Sequence, residues 1–242
     1  MKFPAPILPA VALLLLLCLA GCSTPAPTPL PRRDLATLRA EQAALTPSEV
    51  LESLRQGNAR FLAGKSAPRD RLHDQQIIAA GQYPHAVVLS CMDSRAPAEF
   101  VFDQGLGDLF NLRIAGNIAD EDLVGSMEYG CAVAGAKLVL VMGHTDCGAV
   151  KGACDHIQFG NLTGLLNKIQ PAVEAVRDTP GERNSKNSSF VDAVSAAHVQ
   201  LTVARIRELS PTLRDLERAG KIQMIGCIYN LQTGLVQFLP QS

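Results

Sequence analysis

Apolar positions along this chain fall into two patterns, helical stripes and short unbroken blocks, and the two alternate. Thr46-Pro47-Ser48-Glu49 opens a helix. It offers a capping hydroxyl, Pro where the amide is free anyway, and Glu three residues on. Val50, Leu51, Leu54, Phe61 and Leu62 follow a helical stripe that Gly64 ends. Ala86–Ser90 is a short apolar run after a Pro and reads as a buried strand. Residues 109–114 make a second strand. Residues 137–143 make a third, whose unbroken Leu-Val-Leu-Val-Met run predicts burial on both faces. Residues 120–134 predict a helix, and residues 162–176 another, interrupted or restarted near Pro171. Residues 183–189 are polar and loop-like, 190–209 a long helix, and 211–219 a short one. Residues 222–229 form a fourth strand, and Gln232-Thr233-Gly234 turns the chain into a hairpin partner over 235–239. The order predicts an α/β fold: a central, mostly parallel β-sheet flanked by helices, with a C-terminal hairpin strand.

The N-terminus breaks this pattern. Residues 11–19 are almost wholly apolar, after a weakly basic start at Lys2. The block is shorter than the ~20 residues of a spanning helix and has the size of a secretory core segment. Leu19-Ala20-Gly21-Cys22 follows. It resembles the bacterial lipobox, in which cleavage before the Cys is coupled to its acylation. Residues 1–21 are then a lipoprotein signal peptide and Cys22 the lipidation site. An ordinary signal peptide with an incidental Cys is the competing reading. Two or three acyl chains would anchor the protein firmly to a membrane. Ser23 beside the lipid resembles outer-membrane sorting in Gram-negative bacteria. The expected location is thus the bacterial cell envelope, facing the periplasm. Residues 22–45 read as a Pro-rich tether, with Pro at alternate positions over residues 23–31 favouring a stiff polyproline II spacer. Packed structure is expected only after about residue 33, with the folded domain at 46–242.

Composition narrows the classes. The chain has 242 residues, 47% apolar and 19% charged, which suits one folded domain plus a tail. Lys plus Arg is 22 and Asp plus Glu 23, a net charge of −1, which supplies no field for a nucleic-acid partner.

The chemistry lies with the cysteines. Of seven, Cys18 falls in the signal and Cys22 at the lipid site, leaving an odd set: Cys91, Cys131, Cys147, Cys154 and Cys227. A framework made only of disulfides would leave a thiol over. Cys91 ends the first strand in Cys91-Met92-Asp93-Ser94-Arg95, and Cys147 follows the third in His144-Thr145-Asp146-Cys147-Gly148. Both sit at carboxyl ends of strands, where open α/β sheets place their sites. Two thiolates and one imidazole suit Zn²⁺, and three protein ligands leave the open position of a catalytic site. By itself His144-x-x-Cys147 is weak, because buried cysteines are common and inert. The strand-end Cys-x-Asp-x-Arg strengthens it.

Together, Cys91-x-Asp93-Ser94-Arg95 and His144-x-x-Cys147-Gly148 resemble the β-class carbonic anhydrases. Residues 102–110, Arg113-Ile-Ala-Gly-Asn117, Glu128-Tyr129 and the last strand and hairpin add to the similarity, which covers roughly residues 46–242. The resemblance implies one zinc per chain on Cys91, His144 and Cys147, with water or hydroxide as fourth ligand. It implies reversible hydration of CO₂ to bicarbonate and a proton. Asp93 would orient the hydroxide, and Arg95 would hold Asp93 off the metal; in a closed state Asp93 itself ligates zinc. Gln82, Phe110, Tyr129 and Gly148 match substrate-pocket positions, while ordinary core packing is the alternative for the two aromatics. Ala115 stands where plant-like members carry a larger Val. Val88 occupies the Trp position of the bicarbonate-inhibited subclass, and the chain has no Trp, so the open arrangement is expected. The family also implies a homodimer or higher even oligomer with the site at the subunit interface.

Three other readings compete. A hydrolase of carbonyl sulfide or carbon disulfide resembles this fold and metal site. A non-catalytic zinc-binding lipoprotein would be signalled by loss of Asp93 or Arg95, and both are present. A thiol redox protein lacks its Cys-x-x-Cys. His73, His85, His156 and His198 have no metal partners at recognisable spacing, and Cys131, Cys154 and Cys227 read as small core residues.

Overall fold

The computed structural model describes residues 34–240. The segment read as a signal peptide, Cys22 and the Pro-rich run of residues 23–31 lie outside the described residues. Among the described residues no helix is long and apolar enough to cross a membrane.

Five strands form one sheet: β1 (Ala86–Ser90), β2 (Leu109–Arg113), β3 (Leu138–His144), β4 (Gln223–Tyr229) and β5 (Val236–Phe238). Their order is β2-β1-β3-β4-β5. All neighbours are parallel except β4 and β5, which pair antiparallel as the predicted hairpin. The order places a topological switch beside β1. The chain leaves β1 for β2 on one side and returns as β3 on the other, so a crevice opens between the carboxyl ends of β1 and β3.

Every residue of β1 and β3 is buried, as two-sided cover requires. Val88, Leu140, Met142 and Cys227 face α2 (Pro47–Leu62) with Val50 and Leu54. Val87, Leu89, Val139 and Val141 face α9 (Ser188–Leu209) with Val199, Val203 and Ile206. Helix α9 lies close because Gly143 and Gly226 carry no side chain. A Cβ on Gly226 would stand 2.4 Å from Val199 Cγ1, and one on Gly143 2.6 Å from Val199 Cγ2. A third cluster, with Cys91, Ile118, Cys147, Val150, Leu166 and Ile169, packs at the carboxyl end of the sheet.

The cap read at Thr46 is a complete capping box with Glu49. The helix predicted over 120–134 is α-helical over α5 (Glu121–Glu128) and continues as a π-turn over Tyr129–Val133. That predicted over 162–176 is two helices, α7 (Gly160–Asn167) and α8 (Gln170–Ala175), with Pro171 in the first turn of the second. Residues 211–219 contain α10 (Pro211–Arg218).

Part of the segment read as a tether is helical. Residues 35–44 form α1 (Leu35–Ala44), capped by the Asp34 carboxylate accepting from the Thr37 amide. Buried Gln42 ties it to the body, donating to the carbonyls of Pro84 at 2.7 Å and Ala134 at 2.8 Å. Three further helices were not predicted: α3 (Arg71–Ile78), α4 (Ala98–Val101) and α6 (Gly148–Cys154).

Candidate metal centre

Strand register brings the donors together. Ser90 pairs with Met142, so Cys91 emerges from β1 level with the end of β3, where His144 is the last residue. The chain then turns sharply through Asp146, at φ 58°, a left-handed conformation that Asp tolerates better than most residues. Thr145 pins this turn to β4: its N–H donates to the Tyr229 carbonyl at 3.0 Å, and its hydroxyl accepts from Leu231 N at 3.0 Å. Cys147 is thereby carried back beside His144 at the start of α6.

The side-chain donors of Cys91, His144 and Cys147 lie within 4.8 Å of one another, all three buried, and form the one such His/Cys/acidic group among the described residues. The two sulfurs are 4.0 Å apart. A tetrahedral ion with zinc–sulfur bonds of ~2.3 Å would hold them about 3.8 Å apart. His144 Nδ1 donates to the Thr145 carbonyl at 2.9 Å, which leaves the lone pair on Nε2. That Nε2 is buried and has no hydrogen-bond partner. A buried ring nitrogen without a partner costs free energy unless something else takes its lone pair. Soft sulfurs, a tautomer set by the backbone and an orphaned nitrogen together fit zinc.

The two sulfurs are close enough for one thiol to donate to the other. Their mutual contact draws the Cys91 pKa down, against burial and with help from His144 and the Gly116 N–H, and the same contact pushes Cys147 up. Metal binding would deprotonate both.

Asp93 stands at the rim, its Oδ2 3.9 Å from His144 Nε2. Arg95 grips it: Nε donates to Oδ1 at 2.9 Å, Nη2 to Oδ2 at 2.7 Å, and the Arg95 N–H to Oδ1 at 2.9 Å. These bonds hold the Asp93 pKa well below the usual carboxylate range. Sequence reasoning gave no role to Arg113, which donates to the carbonyls of both Cys91 and Asp93 and straps the loop between them. Gly148 is exposed beside Cys147, and a Cβ there would meet nothing within 4 Å, so open space adjoins the donors.

The other residues that the resemblance matches to pocket positions lie elsewhere in this chain. Phe110 pairs with Val87, four residues before Cys91, about 13 Å back along the strand. Tyr129 packs edge-on against Phe110 at 6.2 Å, and exposed Gln82 precedes β1. Cys131, Cys154 and Cys227 are buried, as the sequence indicates, and their thiols are free. Burial raises Cys131 to about 12 and Cys154 to about 11.

A profile of the family described as carbonic anhydrase matches residues 86–236, more than half of the chain. The chain belongs to the carbonic anhydrase family. It is 36% identical over 189 residues to carbonic anhydrase 2 of Mycobacterium tuberculosis, covering 78% of this chain and 90% of that protein. To the carbonic anhydrase of Mycolicibacterium smegmatis it is 36% identical over 193 residues, covering 79% and 92%. Among solved structures, a tetrameric β-carbonic anhydrase of Sordaria macrospora superposes with a TM-score of 0.61 at 23% identity, covering 79% of this chain and 97% of that one. The β-carbonic anhydrase of Coccomyxa, solved with acetazolamide, gives 0.61 at 23% identity, covering 79% and 85%. The fold of this carbonic anhydrase homologue is therefore the β-class one, as the motifs implied.

Proposed function

We propose that this chain is a zinc-dependent carbonic anhydrase that converts CO₂ and water to bicarbonate and a proton, reversibly. The observation that carries the reading is the convergence of Cys91, His144 and Cys147 with Asp93 held at their rim by Arg95. Zinc, when bound, supplies a Lewis acid that lowers the pKa of a coordinated water from 15.7 to about 7. Cys91, Cys147 and His144 would hold it. Asp93, kept ionised by Arg95, can only accept hydrogen bonds. It therefore orients the attacking oxygen, turning a lone pair toward the carbon of CO₂, and is too weak a base to keep the proton. That proton leaves to solvent. Arg113 fixes the backbone on which both Cys91 and Asp93 sit.

Gln82, Phe110 and Tyr129 act in this reading across a subunit boundary. Met92 (64%), Phe100 (64%) and Tyr129 (53%) are large apolar side chains left exposed in the single chain, which supports a homodimer or higher even oligomer that would cover them. The envelope location rests on the sequence around Cys22 alone. Acylation there would anchor the domain on the periplasmic face of a membrane. Cys22→Ser should abolish partitioning into detergent, and a variant that still partitions with its signal removed would sink the anchor.

Stopped-flow CO₂ hydration on zinc-loaded protein tests the activity. Turnover of carbonyl sulfide or carbon disulfide without CO₂ hydration would replace it with the hydrolase reading.

A further inference from the structure

His198 had no partner that the sequence could show. It lies on the buried face of α9, 4% exposed, with its Nε2 2.7 Å from the Gly116 carbonyl. A carbonyl oxygen only accepts, so Nε2 carries the hydrogen. Burial lowers the pKa of this ring, so it is neutral and donates through Nε2 alone.

Gly116 has its other end on the metal centre. Its N–H donates to Cys91 Sγ at 3.4 Å. The residue sits at φ 68°, ψ 19°, in a left-handed turn. A Cβ there would stand 2.7 Å from Ile169 Cδ1 and 3.1 Å from Ala149 Cβ, so only glycine fits. Glycine sets no conformation of its own. The carbonyl and the N–H of Gly116 belong to adjoining peptide planes that meet at its Cα, so the grip of His198 on the carbonyl bears on the N–H through the φ and ψ of a residue free to rotate. Helix α9 is in turn seated on the sheet by Val199, the next residue, against Gly143 and Gly226. The ring is thus a fixed post.

We propose that His198 is a positioning residue for the metal centre, aiming the Gly116 N–H at the Cys91 sulfur through the Gly116 carbonyl. An N–H bond to a thiolate withdraws charge from it. Two thiolate ligands load a zinc ion with negative charge and weaken its Lewis acidity. The Gly116 bond offsets part of that loss and fixes the orientation of the Cys91 ligand. This inference rests on the zinc reading and extends it to the shell behind the ligands.

The test uses the full chain with cobalt(II) in place of zinc, reading the thiolate-to-cobalt charge-transfer band, together with zinc affinity by chelator competition. In His198→Leu the sulfur should recover its charge. The band should move to longer wavelength, while zinc affinity should fall by about 10–100-fold because the Cys91 ligand is no longer held in place, the usual cost of losing an outer-shell partner. His198→Gln places an amide N–H near the Nε2 position and should restore both; His198→Asn is one bond shorter and should not. If Leu fails to fold, the Gln and Asn pair decides. An Asn variant with the parent's band and affinity overturns the proposal, as does a Gln variant displaced as far as Leu. A parent protein without any thiolate-to-cobalt band would instead overturn the zinc reading itself.

Discussion

Arg95 holds Asp93 through both carboxylate oxygens, at 2.9 and 2.7 Å, while the same Asp93 Oδ2 stands 3.9 Å from His144 Nε2. The carboxylate is close enough to the donor set to join it and is tied to a guanidinium instead. Arg95 is itself half exposed, so the grip comes from the paired fork and not from burial.

Removing the fork should release the carboxylate onto the metal. Arg95→Ala is expected to keep full zinc yet lose nearly all hydration activity, with Asp93 seen as a fourth ligand in a crystal structure. Normal turnover in that variant would show that Arg95 is only a surface partner.

Asp93→Asn asks a different question. The amide keeps the size of the side chain but loses its charge and its pairing with Arg95. Zinc should stay, since the three donors are intact, while turnover falls by roughly 10²–10⁴-fold, the usual worth of a positioned proton acceptor. The double variant with Arg95→Ala should be little worse than the worse single one, because the two residues act as a unit. Near-parental turnover in Asp93→Asn with zinc retained would remove Asp93 from the mechanism.

Much of this architecture is legible in the sequence, and the exceptions share a cause. The strands show because two-sided burial leaves unbroken apolar runs, and α2 shows because its cap uses side chains. The metal ligands show because their residue types are rare at strand ends. Helix α1 hides because its buried residue is Gln42, whose partners are backbone carbonyls. Helix α3 buries nothing, and α6 is built mostly of small residues. His198 is invisible for the reason Gln42 is: its partner is a carbonyl 82 residues away, and backbone groups leave no signature in the residue pattern. Gln82, Phe110 and Tyr129 match pocket positions through the family resemblance, and a single chain keeps them at the far end of the strands.

Asp103 should set part of the acid stability. Its buried carboxylate accepts from Arg60 Nε at 2.5 Å, Arg69 Nη1 at 2.6 Å and the Ala67 amide at 3.0 Å. Burial alone would raise its pKa, but these donors outweigh it and the folded value is lowered. A depressed folded pKa contributes stability above the unfolded value of ~3.9, and that contribution disappears as pH falls through the folded value. At neutral pH Asp103→Asn should therefore cost about 2 kcal/mol, in line with hydrogen bonds to charged groups. The gap to the parent should narrow below pH ~4. Urea unfolding at both pH values checks this; a gap that is constant with pH would assign the loss to packing.

The metal should also protect its own ligands. With the sulfurs of Cys91 and Cys147 4.0 Å apart, a disulfide of ~2.05 Å needs only a small approach. In metal-free protein the contact with Cys147 lowers the Cys91 pKa, which favours its thiolate as the attacking group. Treating chelated protein with oxidised glutathione should form the Cys91–Cys147 disulfide and release two molecules of glutathione. The protein should lose two titratable thiols. Cys131 and Cys154, with pKa raised to about 12 and about 11, should stay reduced. Zinc added before the oxidant should prevent the loss, because coordinated sulfurs have given up the lone pair that attacks. A thiol count that falls equally with and without zinc would mean that the two cysteines do not hold the metal. Cys147→Ala sharpens the measurement: it should bind zinc weakly and form no intramolecular disulfide. Full zinc occupancy in that variant would sink the ligand assignment outright.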